Sequence, residues 1–314
     1  MLRRYFPDSG LKFLVTGGAG FVGSHLVQSL LKQENKVRVL DDFSTGREQN
    51  LANFTTNLEV IHGSILDQEL MAKAMSGIDI VFHLAAIASV QKSLDNPSAT
   101  HQICATGTLE VLQAAKQAGC KRVIYAGSSS AYGHCPSPVQ HEDSPLEPLS
   151  PYAAAKIAGE LYCLCFAKAL QLETVRLRFF NIFGPRQRAD SPYSGVIAIF
   201  AQAFQKGLVP TIFGDGLQTR DFVHVDDAVQ GLLLAGSVPG ISGQVFNIGT
   251  GLGTSLLDLV QALQSLTGKE LAPKFEPGRS GEVLHSRADI TKATSQLQYK
   301  PSKSFTQGLA TLFT

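Results

Sequence analysis

The chain has no excess of basic residues: 27 Lys and Arg stand against 26 Asp and Glu, for a formal net charge of +1. A nucleic-acid-binding domain carries a basic face or stripe, so that class is set aside, although single basic residues can still meet the phosphates of a small ligand. No apolar run reaches the roughly 18 residues that a helix needs to cross a bilayer, so no membrane span is expected. Met1 to Asp8 is too short and polar for a signal peptide ahead of the first expected strand. Cysteine is sparse and odd in number, at Cys104, Cys120, Cys135, Cys163 and Cys165. No Cys-x-x-Cys or Cys/His spacing suggests a metal site, and reduced thiols in a cytoplasmic protein are the expectation. Cys163 and Cys165, two apart on an expected helix, point to different sides. Internal repeats and low-complexity tracts are also missing. What is present is 314 residues, 44% hydrophobic and 17% charged. That suffices for one large α/β domain, or one domain with a smaller lobe.

Apolar runs alternate with helical patterns from the start. Strands are expected at 13–15, 37–40, 58–61, 78–82, 122–126 and 174–178. Helices are expected at 21–31, 97–117 and 152–170. Strands without polar alternation, separated by helices, form a parallel sheet covered on both faces. This is the doubly wound Rossmann arrangement, which takes ligands at the carboxyl ends of its strands. After about Asn181 the rhythm breaks into loops rich in Gly, Pro and polar residues. The expected division is a dinucleotide-binding domain over 1–180 and a substrate lobe over 181–314, with some segments of the second returning to the first.

Gly17, Gly20 and Gly23 follow the first strand and open the first helix. A Gly-x-x-Gly-x-x-Gly pattern there allows a tight turn, close approach of the backbone to a pyrophosphate, and tight helix–strand packing. The helix start at Phe21 and Val22 then offers free N–H groups and a positive dipole end to an anion. Asp41 ends the second strand, placed to accept hydrogen bonds from the adenosine ribose hydroxyls and to repel a 2′-phosphate. These features favour NAD over NADP.

Tyr152 and Lys156 stand one helical turn apart on one face. A phenol titrates near ~10 and is a poor base at neutral pH. A neighbouring ammonium, and the positive charge of an oxidised nicotinamide, would favour the phenolate. That gives a base able to take a proton from a sugar hydroxyl as hydride leaves its carbon. Gly127-Ser128-Ser129-Ser130-Ala131-Tyr132-Gly133 follows the fifth strand and supplies hydroxyls at its carboxyl end.

With these motifs, and with His83-Leu84-Ala85-Ala86, Arg178-Phe179-Phe180-Asn181, Arg220 to Asp227 and Asn247-Ile248-Gly249, essentially the whole chain resembles the extended short-chain dehydrogenase/reductase family. The resemblance implies that Ser128 is the catalytic hydroxyl, with Ser129 a close alternative touching substrate. It implies that Tyr152 is the base and that Lys156 bonds the nicotinamide ribose. It places Leu84, Ala85, Ala86 and Phe180 beside the dinucleotide. Within the family the chain is most similar to UDP-sugar 4-epimerases. Arg220 and Arg279 then clamp the diphosphate, a task that suits the guanidinium fork, and Asn181 bonds the diphosphate or the sugar. Ser286 lies beside the C2 substituent of the sugar, where a tyrosine would fill the pocket and a serine leaves room for an N-acetyl group. The family's dehydratases and decarboxylases carry a glutamate where this chain has Ser130, and a serine has no useful acidity near neutral pH. The implied reaction is reversible hydride transfer at C4 of a UDP-hexose, through a 4-keto sugar.

Three departures stand out. Gly63-Ser64 replaces the family's Gly-Asp, leaving adenine to Ser64, Ile65 or water. Cys104 replaces an asparagine, and Ala88 stands where some members carry a lysine. Other readings stay open on sequence: a UDP-glucuronate 4-epimerase, a decarboxylase, a 4,6-dehydratase, a plain dehydrogenase, or a non-catalytic NAD sensor. The resemblance also implies a homodimer, formed by the helices around 98–118 and 152–169.

Overall fold

The computed structural model describes residues 5–6, 10–54, 56–135, 137–190, 195–278 and 283–313. Strand and helix alternate through β1 (Lys12–Thr16), α1 (Phe21–Leu31), β2 (Lys36–Asp41), β3 (Leu58–His62), α2 (Gln68–Met75) and β4 (Ile80–His83). Next come α3 (Val90–Asp95), α4 (Pro97–His101), α5 (Gly107–Gln117), β5 (Arg122–Ser128), a short β6 (Val139–Gln140), α6 (Pro151–Ala169) and β7 (Glu173–Phe179). The remainder runs β8 (Asn181–Phe183), α7 (Val196–Lys206), β9 (Thr211–Phe213), β10 (Thr219–Arg220), β11 (Phe222–His224), α8 (Val225–Ser237), β12 (Val245–Ile248) and β13 (Thr254–Ser255). It closes with α9 (Leu256–Thr267), β14 (Lys274–Glu276), β15 (His285–Ala288) and α10 (Phe305–Ala310).

Seven strands form one sheet in the order β12-β7-β5-β4-β1-β2-β3, every neighbouring pair parallel. The side chains of β1 show why it is parallel and central. Phe13 and Val15 enter one apolar core with Leu26 and Leu30 of α1 and Leu232 of α8. Leu14 enters the opposite core with Met71 of α2, Val111 of α5 and Phe166 of α6. A strand buried on both faces needs apolar residues without alternation. The chain order reverses between β1 and β4, so the crevice at their carboxyl ends is the place for a ligand. A third core, with Phe200 and Phe204 of α7, Leu259 and Leu263 of α9 and Leu309 of α10, belongs to the C-terminal half. Beside it lies a four-stranded mixed sheet, β13-β10-β15-β6. The C-terminal half also returns to the large sheet, through β12 on β7.

The pattern along the sequence missed α2 and α3, and it expected one regular helix over 97–117. Helix α2 is only eight residues long and is capped by Asp67, whose carboxylate accepts the Leu70 N–H at 3.0 Å. A helix this short holds too few turns for a periodic signal. The expected long helix contains a π-helical segment, Gln102–Thr106, between α4 and α5. Helix α6 begins as its sequence dictates. Ser150 accepts the Ala153 N–H at 3.1 Å, and Pro151 occupies the first turn, where its missing N–H costs nothing. Among the described residues no helix is long and apolar enough to cross a membrane.

Candidate active site

The β1–α1 loop is shaped by what its glycines lack. Gly17 has φ +72°, and a Cβ there would lie 2.8 Å from the Ala85 N at the end of β4. A Cβ on Gly23 would lie 2.1 Å from the Gly17 carbonyl oxygen, so only glycine lets α1 start this close to the loop. Gly20 caps α1 without any side-chain hydrogen bond, and Phe21 and Val22 follow half-buried. The first-turn N–H groups are therefore left for an anion. Asp41, 7% exposed, fixes this loop: its Oδ2 accepts the Ala19 N–H at 2.8 Å and its Oδ1 accepts the Phe43 N–H at 2.9 Å. Burial raises its pKa against those two bonds, which lower it. The Ala19 carbonyl in turn accepts from the Arg47 N–H and from the Asn50 side chain. The donor set and the open cradle fit a dinucleotide pyrophosphate.

Around this cradle, Leu84, Ala85 and Ala86 lie half-buried at the end of β4, while Ala88 is exposed. The Ser64 hydroxyl accepts the Leu66 N–H at 3.2 Å. The Ile65 side chain is 4% exposed and packs under Gly107, so what it can offer an adenine is backbone. Phe180 is likewise walled in, at 3% exposure, in a cluster with Tyr132 and Ala288.

Ser128 ends β5 and caps a 3-10 turn, Ser129–Tyr132. Its Oγ accepts from the Ser130 N–H at 3.2 Å and from the Ser130 hydroxyl at 2.9 Å. The Tyr152 phenol, on the first turn of α6, lies near enough to the Ser128 side chain for that side chain to act on its pKa. The structure thus brings Ser128, Ser130 and Tyr152 together, with Ser129 half-buried beside them.

Burial pushes the Tyr152 phenol up to about 12, with Ser128 opposing the shift. Lys156 Nζ donates to the Ala126 carbonyl at 2.8 Å and sits 5.0 Å over the Tyr125 ring, while its own pKa is lowered by burial. Cys104, buried in the π-helical segment, packs with Ala155 against Tyr152 and supplies no polar side-chain contact of the kind an asparagine would.

Sequence reasoning missed the network beneath this pair. One turn beyond Lys156, Glu160 receives Arg178 through Nε at 3.0 Å to each oxygen and Nη2 at 2.8 Å, with both side chains at most 5% exposed. Arg178 also donates to the Tyr132 hydroxyl at 3.0 Å and lies 4.9 Å over its ring. The Tyr132 hydroxyl donates to Asn247 Oδ1 at 2.6 Å, and Asn247 Nδ2 donates to the Gln140 carbonyl at 2.9 Å. The signal available in the sequence was the repeat Tyr152, Lys156, Glu160, every fourth residue along one helix face.

The expected substrate residues are scattered along the chain. Asn181 is exposed at the start of β8, and its N–H donates to the Asp221 carbonyl at 3.0 Å. Arg220 of β10 stands in register with Ser286 of β15. The Arg220 guanidinium donates to the carbonyls of Thr219 at 2.9 Å and Leu284 at 3.2 Å. The Ser286 hydroxyl donates to Gln140 Oε1 at 3.3 Å. Arg279 lies outside the described residues. A cavity of about 540 Å³ lies elsewhere, between Arg186–Asp190, α7 and Thr311, and shares no residue with the glycine loop or the Ser128–Tyr152 pair.

The sequence profile of the NAD dependent epimerase/dehydratase family matches residues 13–249. The chain is 39% identical over 304 residues to a UDP-glucose 4-epimerase of Mycolicibacterium smegmatis, covering 96% of each. It is 36% identical over 308 residues to a UDP-N-acetyl-alpha-D-glucosaminuronate decarboxylase of Bacillus cytotoxicus, covering 94% of each. Among solved structures, a UDP-N-acetylglucosamine 4-epimerase from Methanobrevibacter ruminantium M1, in complex with UDP-N-acetylmuramic acid, matches with a TM-score of 0.93 at 35% identity, over 97% of both chains.

Proposed function

The chain belongs to the NAD-dependent epimerase/dehydratase family, and from that premise we propose that it is a nucleotide-sugar enzyme that epimerises C4 of a UDP-hexose. The observation that carries this reading is the serine turn. Ser130 spends its hydroxyl on Ser128 at 2.9 Å, at the position where elimination or decarboxylation would call for a carboxylic acid. The groups around the reacting centre suit proton exchange with one hydroxyl and little else. The decarboxylase relative at 36% identity keeps the other chemistry in view, and the same turn argues against it.

The loop at Gly17, Gly20 and Gly23, the start of α1, Asp41, the β4 end at Leu84–Ala86 and Lys156 would hold NAD. Bound in its oxidised form, NAD supplies a hydride acceptor and a positive charge near the phenol. Tyr152 takes the proton from the C4 hydroxyl, with Ser128 bonding the same oxygen, and returns it after the keto sugar presents its other face. With its pKa at about 12, the phenol needs that added positive charge before it can act as a base near neutral pH.

Asn181, Arg220 and Arg279 bind the diphosphate in this reading, and Ser286 leaves space for an N-acetyl group at C2. The Methanobrevibacter relative was solved with an N-acetylated UDP-sugar, which supports that choice. A homodimer through α5 and α6 completes the proposal. Leu161 and Tyr162 of α6, at 57% and 39% exposure, are the apolar side chains a partner would cover.

The test mixes the protein with UDP-GlcNAc or UDP-glucose and follows both the sugar and NADH. The C4 epimer without net NADH is the expected outcome. Net NADH would make the protein a dehydrogenase, loss of water from the sugar would make it a dehydratase, and carbon dioxide released from UDP-glucuronate offered in parallel would make it a decarboxylase. Binding without turnover would make it a sensor.

A further inference from the structure

Gln140 is 2% exposed, on the outermost strand of the four-stranded sheet. Its carboxamide can face only one way. Nε2 donates to the Ser137 carbonyl at 3.0 Å, and Oε1 accepts the Arg287 N–H at 2.9 Å. Reversing the amide would set two N–H groups against each other and two oxygens against each other. Oε1 therefore points at β15 with a second lone pair free, and the Ser286 hydroxyl donates to it at 3.3 Å. A serine has one proton. With that proton committed to Gln140, the Ser286 oxygen offers a ligand lone pairs only.

We propose that Gln140 is a specificity-determining positioning residue: by holding the Ser286 proton through its buried carboxamide, it makes Ser286 a hydrogen-bond acceptor toward the sugar. The substituent at C2 must then be a donor, an amide N–H or a hydroxyl. The inference rests on the reading above that Ser286 borders the C2 substituent. Gln140 also ties that wall to its neighbours. Its own carbonyl accepts from Asn247 Nδ2 and from the Asp289 N–H, both at 2.9 Å, and Asn247 holds the Tyr132 hydroxyl at the end of the serine turn. Across β15, Ser286 is in register with Arg220, so one row of the sheet joins the C2 wall to an expected diphosphate ligand.

The experiment measures binding of UDP, UDP-GlcNAc and UDP-2-deoxyglucose to the full chain by calorimetry. UDP has no sugar and reports on the diphosphate site alone, and the 2-deoxy sugar has no donor at C2. The unsubstituted protein is expected to prefer UDP-GlcNAc to the 2-deoxy sugar. Gln140→Met, equal in length but without the carboxamide oxygen and with only a weakly accepting sulfur, is expected to shrink that preference roughly three- to tenfold, the scale of one lost hydrogen bond, with UDP affinity unmoved. Gln140→Glu keeps an acceptor for the same proton and retains the preference. In a Ser286→Ala background, Gln140→Met is expected to change nothing further. If Gln140→Met does not fold, the shorter Gln140→Leu removes the same acceptor. A preference that survives loss of the acceptor, or a loss shared equally by UDP, overturns the inference alone. Failure of the unsubstituted protein to bind UDP overturns the nucleotide-sugar reading, and this inference with it.

Discussion

In the proposed reading the site has two walls, a dinucleotide wall and a sugar wall, built in opposite ways. The dinucleotide wall is mostly one stretch of chain, from Gly17 to Asn50, closed on itself: Asp41 holds Ala19, and Arg47 and Asn50 hold the carbonyl of the same residue. The sugar wall is assembled from Gln140, Asn181, Arg220 and Ser286, which meet only because β6, β10 and β15 lie side by side and the Asn181 N–H bonds the Asp221 carbonyl beside them. The first wall works through backbone N–H groups and missing Cβ atoms. The second works through side chains, of which Ser286 has its proton directed by the buried Gln140. A wall made of backbone is fixed by local sequence, and substitutions there act on shape. A wall made of distant side chains can be retuned one residue at a time.

Substitutions sharpen that contrast. The largest effect is expected where the two walls meet. Tyr152→Phe should lower turnover by at least about 10²-fold, the lower end of what a positioned acid–base group contributes. Binding of NAD and of UDP should survive, as titration calorimetry would show; turnover near the original rate would remove Tyr152 from the reaction. On the sugar wall, Ser286→Tyr should cut kcat/KM for the N-acetylated sugar by roughly 10- to 200-fold, the range one pocket contact commands. UDP-glucose and NAD should be spared, and an equal fall on both sugars would break the proposed division of labour. On the dinucleotide wall, Gly23→Ala places a methyl group against the Gly17 carbonyl. A cost of about 1–3 kcal/mol in denaturant unfolding is expected, typical of overpacking, with weaker NAD binding and unchanged UDP binding. If UDP binding falls as much as NAD binding, the walls are not independent.

The same contrast explains what could be read beforehand. Six strands of the large sheet were legible because strands buried on both faces must be apolar throughout, as Phe13, Leu14 and Val15 are, while the seventh, β12, returns from the C-terminal half and was not read. The glycine loop and Asp41 were legible because their geometry lies within one strand–helix–strand unit. Tyr152 and Lys156 could be paired through their spacing, but the Lys156 ammonium turns to the Ala126 carbonyl, thirty residues away in sequence. No helical periodicity contains that partner, so the direction of the ammonium could not be read from the spacing. Arg178 and Glu160 were both visible as residues and invisible as a pair.

The sequence by itself determined the layered α/β architecture, the glycine turn that opens α1 and the placing of Tyr152 and Lys156 on one helix face. These follow from local rules: side-chain period, glycine conformation and helix capping. Only the tertiary structure decided which way distant polar groups face: the Lys156 ammonium to the Ala126 carbonyl, the Arg178 guanidinium to Glu160, the Ser286 proton to Gln140. The physical reason is that a buried donor must find an acceptor wherever the fold supplies one, and that acceptor is chosen by packing between segments far apart in the chain.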